Sequence, residues 1–440
     1  MAQISDKFKR SYIYLFLLWP FFAVITASLS SNKKVFVFIW TLFFAYFGYT
    51  FLVAVGSDGE HYKLTFIQIR DWIEFQDLSL LNFIAKIYDY YPDPYVPLAS
   101  FMVASLTNNW HFIFSFYGLV LGYFFSQNVY SILQVQKKVD LSENALLIKL
   151  SLVFLIFLVP IWVINGVRMW TACHFFIFHF FKYSQTGSRK SFLFFNLAGF
   201  FHSSFLLIPI IILTYKMLNI VPFKIRILLV LSVVLAKQSG TMINPQFKQL
   251  EGDGALVGKF NIYNDENYIK SFTETNNEEG GNTSWFVIYN VKYLNLASSL
   301  ILIISLFISW KLGEDWFREN AGYFRLLKAF LSLTFIAYLM SLHPSPSASR
   351  FIKVAGIFGS IALSYLIYAW DVIEKKRVRN IIIYPLAYLI LFVLVVQTRL
   401  GFENFNSAFI FGNPLYVAYQ DDPRPLIDLY HSIFGVYGGK

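Results

Sequence analysis

The chain has 440 residues, of which 57% are hydrophobic, 20% aromatic and only 14% charged. Water-soluble domains carry about 25% charged and about 45–50% apolar residues, so fifty Phe and 28 Tyr exclude a cytosolic globular enzyme, a disordered chain and a nucleic-acid-binding domain. The net charge of +10 is what Lys/Arg retention of cytoplasmic loops produces in a membrane protein, and the single Cys173 excludes an intrachain disulfide and a cysteine zinc site.

The composition predicts an all-α polytopic integral membrane protein. A bilayer core takes roughly 20 mostly apolar residues per helix. In chain order the apolar runs place spans at 11–30 and 35–55, followed by an extracytoplasmic loop over 56–110. That loop contains Trp72-Ile73-Glu74-Phe75 and an apolar piece, Val96 to Leu106, too short to cross and suited to the interface. Further spans fall at 111–133, 146–165 and 167–183. The run 191–218 is interrupted by His202-Ser203-Ser204, and a span at 224–238 follows it. A polar loop over 239–284 precedes spans at 285–309, 325–344, 351–370 and 380–397. The first apolar stretch is too long for the core of a signal peptide and lacks an A-x-A-like cleavage site.

Charge parity decides how 191–218 is read. Lys/Arg cluster at Lys33/Lys34, Lys137/Lys138, Lys182/Arg189/Lys190, Lys216/Lys224/Arg226, Lys311/Arg318/Arg325 and Lys375/Lys376/Arg377/Arg379. Two short helices meeting near His202–Ser204 put all of these on one side, whereas one long helix splits them, so the positive-inside bias favours two. The expected topology has about twelve spans with both termini outside. The loop 239–284, with Lys248, Lys259 and Lys270 against seven Asp/Glu, then faces outward. Lys7, Lys9 and Arg10 stand against this arrangement, because they precede the first span and would be external.

Ionisable residues in or at the mouth of a membrane bundle are costly and therefore functional candidates. On this topology four positions qualify, all at the outer face. Asp58, Glu60 and Tyr62 follow the second span in Gly56-Ser57-Asp58-Gly59-Glu60-His61-Tyr62. The two carboxylates there suit a divalent cation or a general base, or are simply solvated. Arg168 opens a helix after Asn165-Gly166, where a guanidinium either takes a phosphate bidentately or snorkels to lipid headgroups. His202 sits at the break in 191–218 and either exchanges a proton, pairs with a phosphate or is hydrogen-bonded in the core. Arg350, with Lys353 one turn on, follows His343-Pro344-Ser345-Pro346-Ser347, whose prolines predict an external loop rather than a helix. His174 and His179 are off the i, i+4 spacing of a helical metal pair and read as core or lipid-facing. No metal site is expected. No G-x-x-x-x-G-K-[ST] or G-x-G-x-x-G is present, so no nucleotide or other cofactor is expected.

The order of these features resembles the EpsG-type branch of the Wzy-like bacterial polysaccharide polymerases. It rests on Gly56-x-Asp58-x-x-x-Tyr62 after the second span, Arg168 opening a helix after a turn, Phe-His-Ser-Ser at 201–204 and the late external Arg350. Each motif is degenerate, and the resemblance lies in their order along most of the chain. It implies a GT-C-like glycosyltransferase of the bacterial inner membrane, acting at the periplasmic face. Its donor and acceptor would be oligosaccharide repeat units on undecaprenyl diphosphate, polymerised into O-antigen, capsule or exopolysaccharide. It also implies the membrane lipid and a polysaccharide chain-length regulator as partners. Asp58, His202 and Arg168 would be catalytic, and Arg168, Arg350, Tyr62, Glu60 and Lys353 would bind substrate. Asp58 or His202 would accept the acceptor's proton, while the arginines stabilise the departing diphosphate. Tyr and Trp of the outer loops (Trp72, Tyr88, Tyr90, Tyr91, Trp110) either stack on sugar faces or form an interface belt. The competing readings are an O-antigen ligase, a polyprenyl-phosphate-sugar-dependent transferase with Asp58-Gly59-Glu60 as metal motif, and a lipid-linked oligosaccharide flippase. Transporters are usually built from internal repeats with midplane ionisable groups. The gathering of candidates at one face favours chemistry.

Overall fold

The computed structural model describes residues 11–76, 79–90, 93–139, 145–239, 285–342, 346–370 and 376–417. Lys7, Lys9, Arg10, most of the loop 239–284, the approach 343–345 and Lys375 lie outside the described residues. The chain forms two compact units. The first comprises Met1–Tyr130, Pro160–His174 and Gln397–Lys440, and the second Ser131–Val159 and Phe175–Val396.

In the first unit, helical residues 11–18 stop at Trp19, which is extended (φ −154°, ψ 101°), and α1 (Pro20–Leu29) begins with its proline at the first position. A residue before proline is pushed out of the helical region, and proline is preorganised to open a helix. The chain reverses there. Phe21 packs on Phe43 and the Trp40 indole donates to Ser28 Oγ, so α1 runs antiparallel to α2 (Lys33–Tyr49). Tyr12 and Ile13 share a cleft with Lys34, Phe38 and Ile39, and Phe16 lies against Tyr46, so residues 11–18 run parallel to α2. The Trp19 indole fixes the bend by donating to the Ile410 carbonyl at 3.1 Å. The span expected over 11–30 is therefore a helical hairpin, and Tyr12 sits at the Lys34 end of α2, not the opposite end. Tyr12 and Lys34 therefore lie on the same side, whereas a single span over 11–30 would put them on opposite sides. Ser11→Cys is accordingly expected to react with an impermeant thiol reagent from the same side as Lys34→Cys and from the opposite side to Ser57→Cys; labelling from the Ser57 side would contradict the hairpin.

The hairpin packs beside a close helix crossing. A Cβ on Gly118 of α6 (His111–Val139) would strike the Phe44 carbonyl of α2, and one on Gly48 would strike the Phe114 carbonyl. Gly118 and Gly122 form a G-x-x-x-G face, the small-residue stripe that lets membrane helices meet backbone to backbone.

The region 56–110 is largely helical, with α3 (Asp58–Gln76), α4 (Leu80–Tyr90) and α5 (Tyr95–Ala104). Asp58, Glu60 and Tyr62, read as a polar loop, occupy the first turns of α3. Ser57 and Glu60 stand at capping-box spacing: Ser57 Oγ accepts from the Glu60 N–H at 3.3 Å, and the Glu60 carboxylate accepts from the Gly56 N–H at 2.6 Å. Gly56 has φ +76°, a left-handed conformation that glycine adopts without steric cost.

The second unit contains α7 (Ala145–Leu158), the later part of α8 (Val167–Thr186), α9 (Arg189–Asn196), α10 (Ala198–Phe201), α11 (Ile208–Met217), α12 (Phe223–Gln238), α13 (Trp285–Glu319), α14 (Ala321–Ser341), α15 (Pro346–Ala369) and most of α16 (Lys376–Asn404). Helix α15 is its buried axis, packed against α7, α13 and α14. A Cβ on Gly356 would come within 2.9 Å of Leu158 and 3.0 Å of Ser298. Pro346 stands at the first position of α15, where its missing N–H costs nothing. The helix therefore begins within the segment that the prolines suggested as an external loop, and Arg350 lies in its first turns.

The run 191–218 is interrupted where its sequence indicated. Aromatic contacts trace the path: Tyr183 meets Phe192, Phe180 meets Phe195, Phe175 meets Phe201, then Phe176 meets Phe205 and Tyr183 meets Tyr215. The chain runs along α8 as far as its middle, turns at His202 and returns to the end it left. Both ends of 191–218 thus lie at the same end of α8, which preserves the charge parity. The turn itself lies level with the middle of α8, where a break in mid-membrane is expected of this run.

Among the described residues six helices are long and apolar enough to cross a membrane, and four shorter apolar helices accompany them (Pro20–Leu29, Tyr95–Ala104, Ala145–Leu158 and Ser203–Met217).

Candidate functional site

In the first unit, a 3₁₀ turn (Ile161–Gly166) delivers Arg168 onto the first turn of α8. Its guanidinium is fixed from two sides. Nη1 donates to Asp93 Oδ2 at 2.9 Å and Nε donates to the Tyr62 hydroxyl at 3.1 Å. The Tyr62 ring also lies 5.5 Å from the guanidinium carbon. The Asp93 side chain is fully buried and that of Arg168 is 21% exposed, so the pair is a charge-assisted contact in a poorly hydrated setting. Of the five N–H donors of an arginine, two are used, and the other three, one on Nη1 and two on Nη2, have no hydrogen-bond partner among the described residues. The result is a guanidinium held at Nε and at Nη1, with its Nη2 donors left unengaged among the described residues.

The N-terminus of α3 is tied to the same turn. Asn165 Oδ1 accepts from the Gly59 N–H at 2.5 Å, and a Cβ on Gly59 would come within 2.8 Å of that oxygen. Asp58, exposed at the first position of α3, is near enough to act electrostatically on Arg168. Asn165→Ala leaves one of the orphan donors of the helix unpaired, so the variant is expected to unfold at lower temperature, with a loss of about 1–3 kcal/mol; an unchanged thermal midpoint in detergent would count against this latch.

The structure thus gathers Asp58, Glu60, Tyr62 and Arg168 in one unit, adds Asp93, which is absent from the sequence reading, and gives Asn165, read there only as part of a turn, a latching contact. Asp93 carried one signal, its place between Pro92 and Pro94, which rigidify the chain around a lone acid. Nothing in the sequence joins it to Arg168. Trp110, considered as a sugar platform, already stacks on His111 (3.7 Å between centroids) and lies 4.4 Å from Lys63 Nζ. The side chains of Tyr88 and Tyr90, and Tyr91 itself, lie outside the described residues.

His202, Arg350 and Lys353 belong to the second unit. His202 is 7% exposed and extended (φ −156°, ψ 127°), and its Nδ1 accepts from the Ser204 N–H at 3.1 Å. In the neutral ring this leaves the proton on Nε2. Phe205 packs on Phe351 at 5.4 Å, which brings the turn at His202 to the start of α15, where Arg350 precedes Phe351 and Lys353 follows one turn on. His174 is buried in the first unit, its Nδ1 3.1 Å from Asn128 Nδ2, and His179 stacks on Phe194 in the second. Among the described residues no three His, Cys, Asp or Glu side chains gather as a metal site.

No protein-family model and no solved structure matches the chain. Over 73 residues, 17% of its length, it is 33% identical to the UPF0060 membrane protein YnfA of Escherichia coli strains K12 / DH10B and O157:H7. That match spans 64% of those relatives, less than two thirds of their length. The partial similarity to a membrane protein and the long apolar helices agree: the chain is a multi-pass, all-α membrane protein.

Proposed function

We propose that the protein is a GT-C-like glycosyltransferase of the bacterial inner membrane that polymerises oligosaccharide repeat units carried on undecaprenyl diphosphate at the outer face. The observation that carries this reading is the anchored Arg168, whose unengaged Nη2 donors are available to phosphate oxygens. In the reaction the acceptor hydroxyl attacks the anomeric carbon of the donor glycan. The bond from that carbon to the diphosphate oxygen breaks, and the lipid diphosphate leaves with the electron pair. Arg168 stabilises the charge that develops on the leaving oxygen. The hydroxyl proton passes to Asp58. Tyr62 and Glu60 complete the substrate contacts. The donor is already activated, so the reaction draws on no nucleotide.

A strain lacking the protein is expected to accumulate lipid carriers bearing single repeat units, with no long polymer at the surface. Polymer of normal length in that strain would refute the proposal. Loss of transferred repeats with normal polymer on the carrier would instead indicate a ligase.

A further inference from the structure

In the second unit, two cations flank one aromatic ring and a third caps the C-terminus of α8. The Arg226 guanidinium lies 5.5 Å from the centroid of Phe324, and the Lys328 ammonium lies 4.8 Å from that ring and 4.9 Å from Tyr215. Lys328 Nζ also donates to Asn219 Oδ1 at 2.8 Å. Arg325, between them on α14, donates to the Ser184 and Gln185 carbonyls at 3.1 and 2.8 Å, where cations favour a helix C-terminus. Arg226 is only 6% exposed, and its Nε donates to the Val221 carbonyl.

These contacts fix the cations without neutralising them. Arg226 and Arg325 both repel the charge on Lys328. The carboxylate that acts on Arg226, Glu314, is itself paired with Arg318 at 2.9 Å. No carboxylate lies within ion-pair distance of Arg226, Arg325 or Lys328 among the described residues. A Lys/Arg cluster that merely retains a loop in the cytoplasm needs no such side-chain immobilisation, and like charges held together are a cost until an anion joins them. Beside the cluster, Ile220 is 86% exposed, and Leu213, Met217, Ile225 and Leu228 are more than half or about half exposed, an apolar surface suited to acyl chains.

We propose that Arg226, Arg325 and Lys328 bind the phosphate headgroup of an anionic phospholipid on the face that carries the Lys/Arg clusters. The adjoining apolar side chains take the acyl chains, which distinguishes a lipid from a free phosphate. Juxtamembrane basic residues typically contribute about fivefold in affinity each to anionic lipid.

The test uses the full-length protein in nanodiscs of phosphatidylcholine, with or without phosphatidylglycerol, read by thermal unfolding and by lipid retention in native mass spectrometry. Phosphatidylglycerol is expected to raise the midpoint and to be retained. The variants Arg226→Gln and Lys328→Gln are each expected to weaken retention about fivefold, whereas Lys328→Arg and Lys34→Gln of the first unit keep it. Should Arg226→Gln fail to fold, Asn219→Ala, which frees the Lys328 ammonium, is expected to show the same loss. Inorganic phosphate alone reproducing the stabilisation would overturn the lipid assignment in favour of a phosphate site. Equal retention by wild type and the Arg226 and Lys328 variants, or an equal loss in Lys34→Gln, would overturn the site itself.

Discussion

Asp93→Ala is expected to be among the most damaging single substitutions in the chain. It leaves the Arg168 guanidinium partly buried with its counter-charge removed, since the Asp93 side chain is fully buried and 2.9 Å from Nη1. Breaking one partner of a buried ion pair costs about 3–5 kcal/mol, whereas replacing both by apolar side chains of similar volume is often close to neutral. Arg168→Met combined with Asp93→Leu is therefore expected to unfold near the wild-type temperature, while either charge alone unfolds far below it. Activity separates the partners differently. Arg168→Ala is expected to lower polymer formation about 10²–10³-fold, the cost of losing one preorganised donor to transition-state charge. Arg168→Lys rescues little, because an ammonium cannot hold Asp93 and Tyr62 while offering a planar pair of donors outward. Comparable destabilisation in the double variant, or undiminished polymer in Arg168→Ala at wild-type protein levels, would remove this pair from the centre of the site.

The second large effect is expected at Gly118. Its missing Cβ is what lets α6 approach the Phe44 carbonyl of α2, and a carbonyl on a helical backbone cannot swing aside as a side chain can. Gly118→Ala is expected to lose about 1–3 kcal/mol, the usual cost of overpacking, and Gly118→Leu to yield little folded protein. Gly322→Ala serves as the control: its Cβ would meet nothing nearer than 4.0 Å, and alanine is the better helix former by about 1 kcal/mol. Thermal unfolding in detergent reads both. A Gly118→Leu protein as stable as wild type would mean that the two helices do not depend on this crossing.

Much of this arrangement is legible before any coordinates. Apolar runs identify the membrane helices because the bilayer fixes their length, and the parity of Lys/Arg clusters correctly anticipates that 191–218 turns back at His202. Two local signals were present but outweighed. Pro20 should bend the chain at Trp19, yet the surrounding run reads as one span because hydropathy does not register direction. Ser57 and Glu60 mark a helix start, yet the polar residues around them resemble a loop. The contact of Asp93 with Arg168 was beyond reach. It joins residues 75 apart through a fold in which α3 and α5 pack together, and neither periodicity nor composition encodes such a meeting. The same holds for Phe205 and Phe351, whose contact brings the turn after His202 against the start of α15 in the second unit.

The central claim is that this membrane protein joins lipid-linked glycans. It is tested most directly by incubating the purified full-length chain in lipid nanodiscs with an undecaprenyl-diphosphate-linked repeat unit and resolving the products by size. The proposed function predicts a ladder of glycans differing by one repeat, with release of undecaprenyl diphosphate, from wild type and not from Arg168→Ala. Repeat units recovered at their original length, or moved across the bilayer without being joined, would contradict it.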